Sequence, residues 1–237
     1  MTDHYAALAK RLLEQDEAMQ LASAATCYAL LESGSIRRHA SHALLCGREV
    51  PATELVLLLE GSLEVSTEGS DGRRSILWYI PAGQWVNLIS LIDGRGSVHD
   101  IRTHTEAVAL HVPRTAFLQA LRADAGFSMA MLKILCQRSR MFYENMAMDA
   151  LLPLRSRVAR MLTLLMGQYG RPKEGGVEID LKISQDELAA MLAVSRHSLN
   201  RELKALQEQG LISIAYSHIT VRDVESLHAQ IVPAAGG

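Results

Sequence analysis

Arg196 and Arg201 lie five positions apart in the run Ser195-Arg196-His197-Ser198-Leu199-Asn200-Arg201. An arginine guanidinium forks onto guanine O6 and N7, the commonest specific contact to a base edge, and each such fork discriminates by roughly 1–3 kcal/mol. At helical spacing Arg196, His197, Asn200 and Arg201 fall on or near one arc, and Leu199, Leu203 and Leu206 fall on the opposite one. Ser184, Gln185, Ser195 and Ser198 stand where helices would begin, and there hydroxyls and backbone N–H groups meet phosphates. The chemistry these residues suit is the reading of double-stranded DNA by one helix.

That helix needs elements to hold it. Ser184 with Glu187 three residues on forms a capping box, which starts a helix over 185–192. Ser195 caps a second helix, from Arg196 to about Gln207, after a short break at Ala193-Val194. Leu188, Leu192, Val194, Leu199, Leu203 and Leu206 form the small core between the two, and Ala189 is small where they cross. Gly210 stops the second helix. Two β-type runs, 211–215 and 218–221, then flank Tyr216-Ser217, which reads as a two-residue hairpin turn. Helix, turn, helix and β-hairpin is the order of a winged helix-turn-helix, and the combination is far more specific than two amphipathic helices alone.

The rest of the chain is organised differently. Residues 5–32 read as helical. From Gly34 to about Val112 the text breaks into short strand-like runs: 55–59, an alternating 62–67, a turn at Glu68-Gly69-Ser70-Asp71-Gly72, a run at 75–80 ended by Pro81, and 108–112. Short strands at this spacing predict a small barrel or jelly roll. A helix over 114–122 and a longer one over 124–149 follow. Leu132, Leu135, Ser139, Phe142 and Met146 step along the long helix by three and four, a stripe suited to a dimer seam or to packing on the barrel. Leu151-Leu152-Pro153 ends that helix, 154–168 forms another, and 170–176 reads as a loop. The expected fold class is α+β, with three parts: a β-roll sensor domain over 1–123, a dimerisation helix over 124–150, and a winged helix-turn-helix domain over 151–237.

The chain has 237 residues, 49% hydrophobic and 21% charged, with a formal net charge of −2, so it can bury a core and does not coat nucleic acid indiscriminately. Residues 151–237 carry +1 and the remainder −3, a weak asymmetry of the sign DNA requires. Cys27, Cys46 and Cys136 are scattered, which supports neither a disulfide framework nor a thiolate metal site. No apolar run has the length of a signal peptide core or a membrane span, so a cytoplasmic location with no membrane partner is expected.

The segments from Ile183 to Ala189, from Val194 to Arg201, and Gly210-Leu211-Ile212 resemble the signature of the Crp/Fnr family of transcription regulators. Leu59-Glu60-Gly61-Ser62-Leu63-Glu64-Val65 and Pro81-Ala82-Gly83 resemble the β-roll of that family's cyclic-nucleotide-binding-type sensor. The resemblance runs from about Leu30 to Val224. It implies a homodimer on a palindromic promoter site, with DNA, a second copy and RNA polymerase as partners and no enzymatic activity. It makes Arg196 and Arg201 base readers. His197 replaces a frequent Glu, which alters the expected consensus, and Ala193 replaces a usual turn glycine. Ala in a left-handed conformation costs about 1 kcal/mol.

In the sensor, family members that bind cyclic nucleotide carry a Glu for the sugar and an Arg with Ser or Thr for the phosphate. Here Leu88 stands in the Glu position and Ser97-Val98-His99 in that of the Arg-Ser pair, with Arg102 later in the chain. Trp85, Asn87, Leu88, Ser97, His99 and Arg102 form the expected effector pocket, and cyclic AMP is not expected to bind it tightly. The effector and any cofactor stay unidentified. His39, His42, His99, His104 and His111 lie in this half, and the expectation is ordinary, satisfied histidines with neither haem nor a metal. Two other readings compete: a haem- or gas-sensing member of the same family, and a ligand-binding module that regulates a protein partner. No catalytic constellation is present.

Overall fold

The computed structural model describes residues 2–69, 74–215 and 218–231. The Tyr216-Ser217 turn and residues 70–72 of the expected 68–72 turn lie outside the described residues. The chain divides into two compact units, Met1–Met141 and Phe142–Gly237.

In the first unit the N-terminal helical stretch is interrupted. α1 (Thr2–Gln15) ends where the Asp16 carboxylate accepts the N–H groups of Ala18 and Met19 at 2.8 and 3.3 Å. α2 (Ala24–Ser33) restarts from Ser23, whose hydroxyl accepts the Thr26 N–H. Strands β1 (Ser35–His39), β2 (Leu44–Cys46), β3 (Glu54–Glu60), β4 (Ser62–Glu68), β5 (Arg74–Pro81) and β6 (Trp85–Val86) come next. The short α3 (Leu88–Asp93) precedes β7 (Asp100–Thr103) and β8 (Ala107–Pro113). They form two four-stranded antiparallel sheets, ordered β1-β8-β3-β6 and β2-β7-β4-β5. The apolar run 55–59 is β3, buried at every position, as an uninterrupted apolar strand requires. Gly61 joins β3 to β4 at φ +88°, and a Cβ there would stand 2.3 Å from the Glu106 carbonyl oxygen, so only glycine fits. The strands β1, β2, β6 and β7 add to those read from sequence. They are short and carry no clean alternation.

α4 (Arg114–Ala123) leads to α5 (Ala125–Leu151), which begins in the first unit and ends in the second. Asp124 starts it: its carboxylate accepts the Phe127 N–H at 3.0 Å and the N–H and hydroxyl of Ser23 at 2.8 and 2.7 Å. These bonds, with the Thr26 hydroxyl foremost, hold the Asp124 carboxyl well below the usual carboxylate range. Leu132, Phe142 and Met146 of the stripe are more than half exposed, Ser139 is exposed and Leu135 is half-buried.

In the second unit α6 (Leu154–Tyr169) buries Val158, Ala159, Leu162 and Leu165. The expected loop over 170–176 is instead a hairpin, β9 (Gly170–Lys173) and β10 (Gly176–Ile179). Pro172 masks it in the sequence. β9 is an exposed edge strand, the place in a sheet that tolerates proline. α7 (Gln185–Met191), α8 (Arg196–Glu208), β11 (Ile212–Ala215), β12 (His218–Val221) and α9 (Val224–Ala229) complete the unit, with sheet order β11-β12-β10-β9. The wing is thus four-stranded.

Candidate nucleic-acid interface

The two helices of the motif are built by local bonds. The Glu187 N–H donates to Ser184 Oγ at 3.1 Å and the Ser184 N–H donates to Glu187 Oε2 at 2.7 Å, a complete capping box on α7. Ser195 accepts the Ser198 N–H at 3.1 Å and caps α8. Between them Ala193 takes φ +51°, the left-handed turn residue that glycine would occupy with less strain. The Val194 N–H closes this turn on the Ala189 carbonyl at 3.0 Å, and Arg157 from α6 donates to the Leu192 carbonyl at 2.6 Å. Leu188, Ala189, Leu192, Leu199, Leu203 and Leu206 are buried, and Val194 is half-buried. Burying one face of α8 turns the other outward.

On that outer face Arg196 and Arg201 are 60% and 69% exposed, and His197 is exposed beside them. Ser184 and Ser195 are exposed, and Gln185 and Ser198 are half-buried. Asn200 is half-buried, with its Oδ1 enclosed and without a hydrogen-bond partner among the described residues, so it stands at the edge of the arc. Two acidic residues absent from the sequence reading position the arginines. Asp186 on α7 accepts Arg196 Nη1 at 3.0 Å. Glu202 is buried, takes Arg155 Nε on one oxygen at 3.0 Å, and holds Arg201 Nε and Nη2 on the other at 3.1 Å each. The only signal of Glu202 in the sequence is its place beside Arg201. The result is two oriented guanidinium forks on the N-terminal half of a capped helix, the arrangement a major groove admits.

The six residues expected to form an effector pocket are dispersed. Trp85 and Leu88 are buried in the core of the first unit. Asn87 adopts φ +73° and donates to the Glu54 carbonyl at 3.0 Å. Ser97 donates its hydroxyl to the His99 carbonyl at 2.8 Å, and His99 Nδ1 meets Thr67 Oγ1 at 3.0 Å. Burial, aided by Arg48, pushes the His99 pKa down. Of the six, Arg102 lines a cavity of about 280 Å³ shared with His42, Ser66, Glu68, Arg74 and Asp100. There Arg102 faces Asp100 at 3.9 Å and Arg74 pairs with Glu64. These partners come from three different strands, β4, β5 and β7, and the turn after β1, and nothing local groups them.

A β-roll, a long helix and a winged helix-turn-helix with outward arginines define a sensor-type transcription regulator that binds DNA. The comparisons with known proteins agree. The cyclic nucleotide-binding domain model matches residues 25–124, and the Crp-like helix-turn-helix domain model matches residues 156–230. The CRP-like cAMP-activated global transcriptional regulator of Mycobacterium tuberculosis is 23% identical over 177 residues, 75% of this chain and 79% of that protein. The global nitrogen regulator of a Synechocystis species is 28% identical over 184 residues, 76% of this chain and 81% of that one. Among solved structures, FixK2 from Bradyrhizobium japonicum superposes with a TM-score of 0.76 at 19% identity, covering 85% of this chain and 99% of that one. The chain therefore belongs to the Crp/Fnr family of transcription regulators.

Proposed function

We propose that the protein acts inside the cell as a homodimer. In this reading α8 of each copy enters successive major grooves of a palindromic promoter site, with half-sites about 34 Å apart. The observation that carries this is the exposure of Arg196, His197 and Arg201 on one side of a helix whose other side is core. The exposed apolar positions of α5, above all Leu132, Phe142 and Met146, are the seam, since such side chains gain most from a second copy. RNA polymerase is the further partner at the promoter, and no enzymatic step belongs to this reading.

The effector is a small molecule other than cyclic AMP. Leu88 offers no acceptor to a sugar hydroxyl, and Ser97 and His99 are engaged with their own chain. Selection of bound duplexes from random DNA with purified full-length protein tests the proposal. Enrichment of an inverted repeat is expected. Enrichment of single half-sites would remove the homodimer, and no enrichment even in cell extract would remove sequence-specific binding. Calorimetry with cyclic AMP should give no micromolar binding.

A further inference from the structure

His39 and His111 are 72 residues apart in sequence, yet their Nε2 atoms meet at 3.0 Å with ring centroids 5.1 Å apart. They lie on adjacent antiparallel strands, β1 and β8, in which His39 pairs with Ala107, Arg37 with Ala109 and Ser35 with His111. Only the methyl of Ala109 stands in the row between them on β8. On its far side His111 Nδ1 lies 3.0 Å from Glu54 Oε2. Glu54 is itself fixed, its two oxygens accepting Arg37 Nη1 and Nη2 at 2.8 and 2.6 Å. A carboxylate on Nδ1 sets the tautomer: His111 carries its proton there and keeps a lone pair on Nε2. That lone pair faces His39. A carboxylate–histidine pair whose free nitrogen points at a second histidine is the arrangement that orients imidazole toward a metal ion.

We propose that His39 and His111 bind one divalent transition-metal ion of the zinc type per chain through their Nε2 atoms, with Glu54 as the positioning carboxylate and water on the remaining sites. Imidazole donors select such borderline ions over magnesium or calcium. Zinc–nitrogen bonds of about 2.0–2.1 Å at a tetrahedral angle set two nitrogens roughly 3.3 Å apart, so the pair opens by a few tenths of an ångström. His39, the half-buried member, supplies the movement by turning its ring. In the metal-free pair His39 donates its Nε2 proton to His111. On binding, that proton transfers through water to His39 Nδ1, and no net proton is released. Burial first, and then the Arg37 guanidinium, pushes the pKa of both rings down. Among the described residues no third His, Cys, Asp or Glu donor lies within 4.8 Å of both nitrogens, which is why solvent completes the shell. The site does not depend on how the protein reads DNA.

The test is calorimetric titration of the full-length, untagged protein with zinc chloride, with circular dichroism to verify folding. Wild type should bind one equivalent that His39→Ala loses, its affinity falling at least tenfold. Glu54→Gln should weaken the same equivalent by about 10- to 100-fold. His111 is buried, so His39→Ala is the primary variant; if it loses its helical signal, His39→Gln replaces it. Absence of stoichiometric zinc in wild type, or an unchanged equivalent in the folded His39 variant, would overturn the site.

Discussion

The two units place polar groups in opposite ways. In the DNA-reading unit the groups with chemistry to offer, Arg196, His197 and Arg201, are exposed, and the leucines behind them make the core. In the sensor unit the matching candidates are turned inward. Asn87, Ser97 and His99 hydrogen-bond their own chain, and Trp85 and Leu88 are core. The DNA-reading unit therefore separates binding from stability residue by residue, and the sensor unit does not. Substitutions can break this contrast.

Leu203→Ala should have the largest effect. The side chain is buried between α7 and α8, and removing it costs about 2–5 kcal/mol of stability. Urea unfolding monitored by circular dichroism should show the midpoint fall, and an unchanged midpoint would mean that α8 is held by something other than this core. Replacing Arg196 and Arg201 should do the reverse. Each Ala should weaken specific DNA binding by about 1–3 kcal/mol, roughly 5- to 150-fold, because each removes a base fork. Stability should hardly change for Arg196→Ala, since its ion pair with Asp186 is exposed on both sides. Arg201→Ala also takes two hydrogen bonds from the buried Glu202, which keeps Arg155, and should cost more. Fluorescence anisotropy on the selected operator, beside urea melts of the same variants, decides. Loss of both binding and stability in Arg196→Ala would erase the separation claimed for this unit.

Asn87→Ala makes the opposite forecast for the sensor. It places alanine at φ +73° and removes a hydrogen bond to the Glu54 carbonyl, for a cost of about 2 kcal/mol. Asn87→Gly relieves the backbone share and should recover part of the loss. If neither variant changes the melt, Asn87 is not structural, and its candidacy as an effector contact is restored.

The same contrast explains what could be read without coordinates. The capping box at Ser184–Glu187, the Ser195 cap, the turn at Ala193 and the Gly210 stop each involve residues three to five apart, so their types alone disclose them. The spacing of Leu199, Leu203 and Leu206 then fixes which way the arginines point. The sensor is joined by long-range pairing. β8 lies between β1 and β3, and the cavity around Arg102 takes residues from β4, β5, β7 and the turn after β1. Strands of two to four residues, such as β6 and β7, are too short to show a period, and Pro172 disguises β9 as a loop. The meeting of His39 with His111 has no trace in spacing at all.

Asp124 tests the contrast most finely, because it belongs to both kinds of contact. As the cap of α5 it accepts the Phe127 N–H three residues on, and as a tether it accepts the N–H and hydroxyl of Ser23, 101 residues earlier. Only the cap is visible in sequence. The Thr26 hydroxyl foremost, and then both sets of bonds, favour the ionised carboxylate and hold its pKa below the unfolded value of about 3.9. The sign follows. The folded state binds the proton less readily than the unfolded chain, so the contribution of Asp124 is complete at neutral pH. It declines as the pH falls through about 4 toward the lowered folded value. Asp124→Asn should therefore lower stability at pH 7 by the charge-assisted share of these bonds. The gap from wild type should close progressively in urea melts taken at pH 7, 5 and 3. A gap that keeps its size at pH 3 would show that the charge is irrelevant and that the amide fails for reasons of shape. A gap that closes while Ser23→Ala leaves it unaltered at pH 7 would assign the effect to the local cap alone, and the long-range tether would contribute nothing.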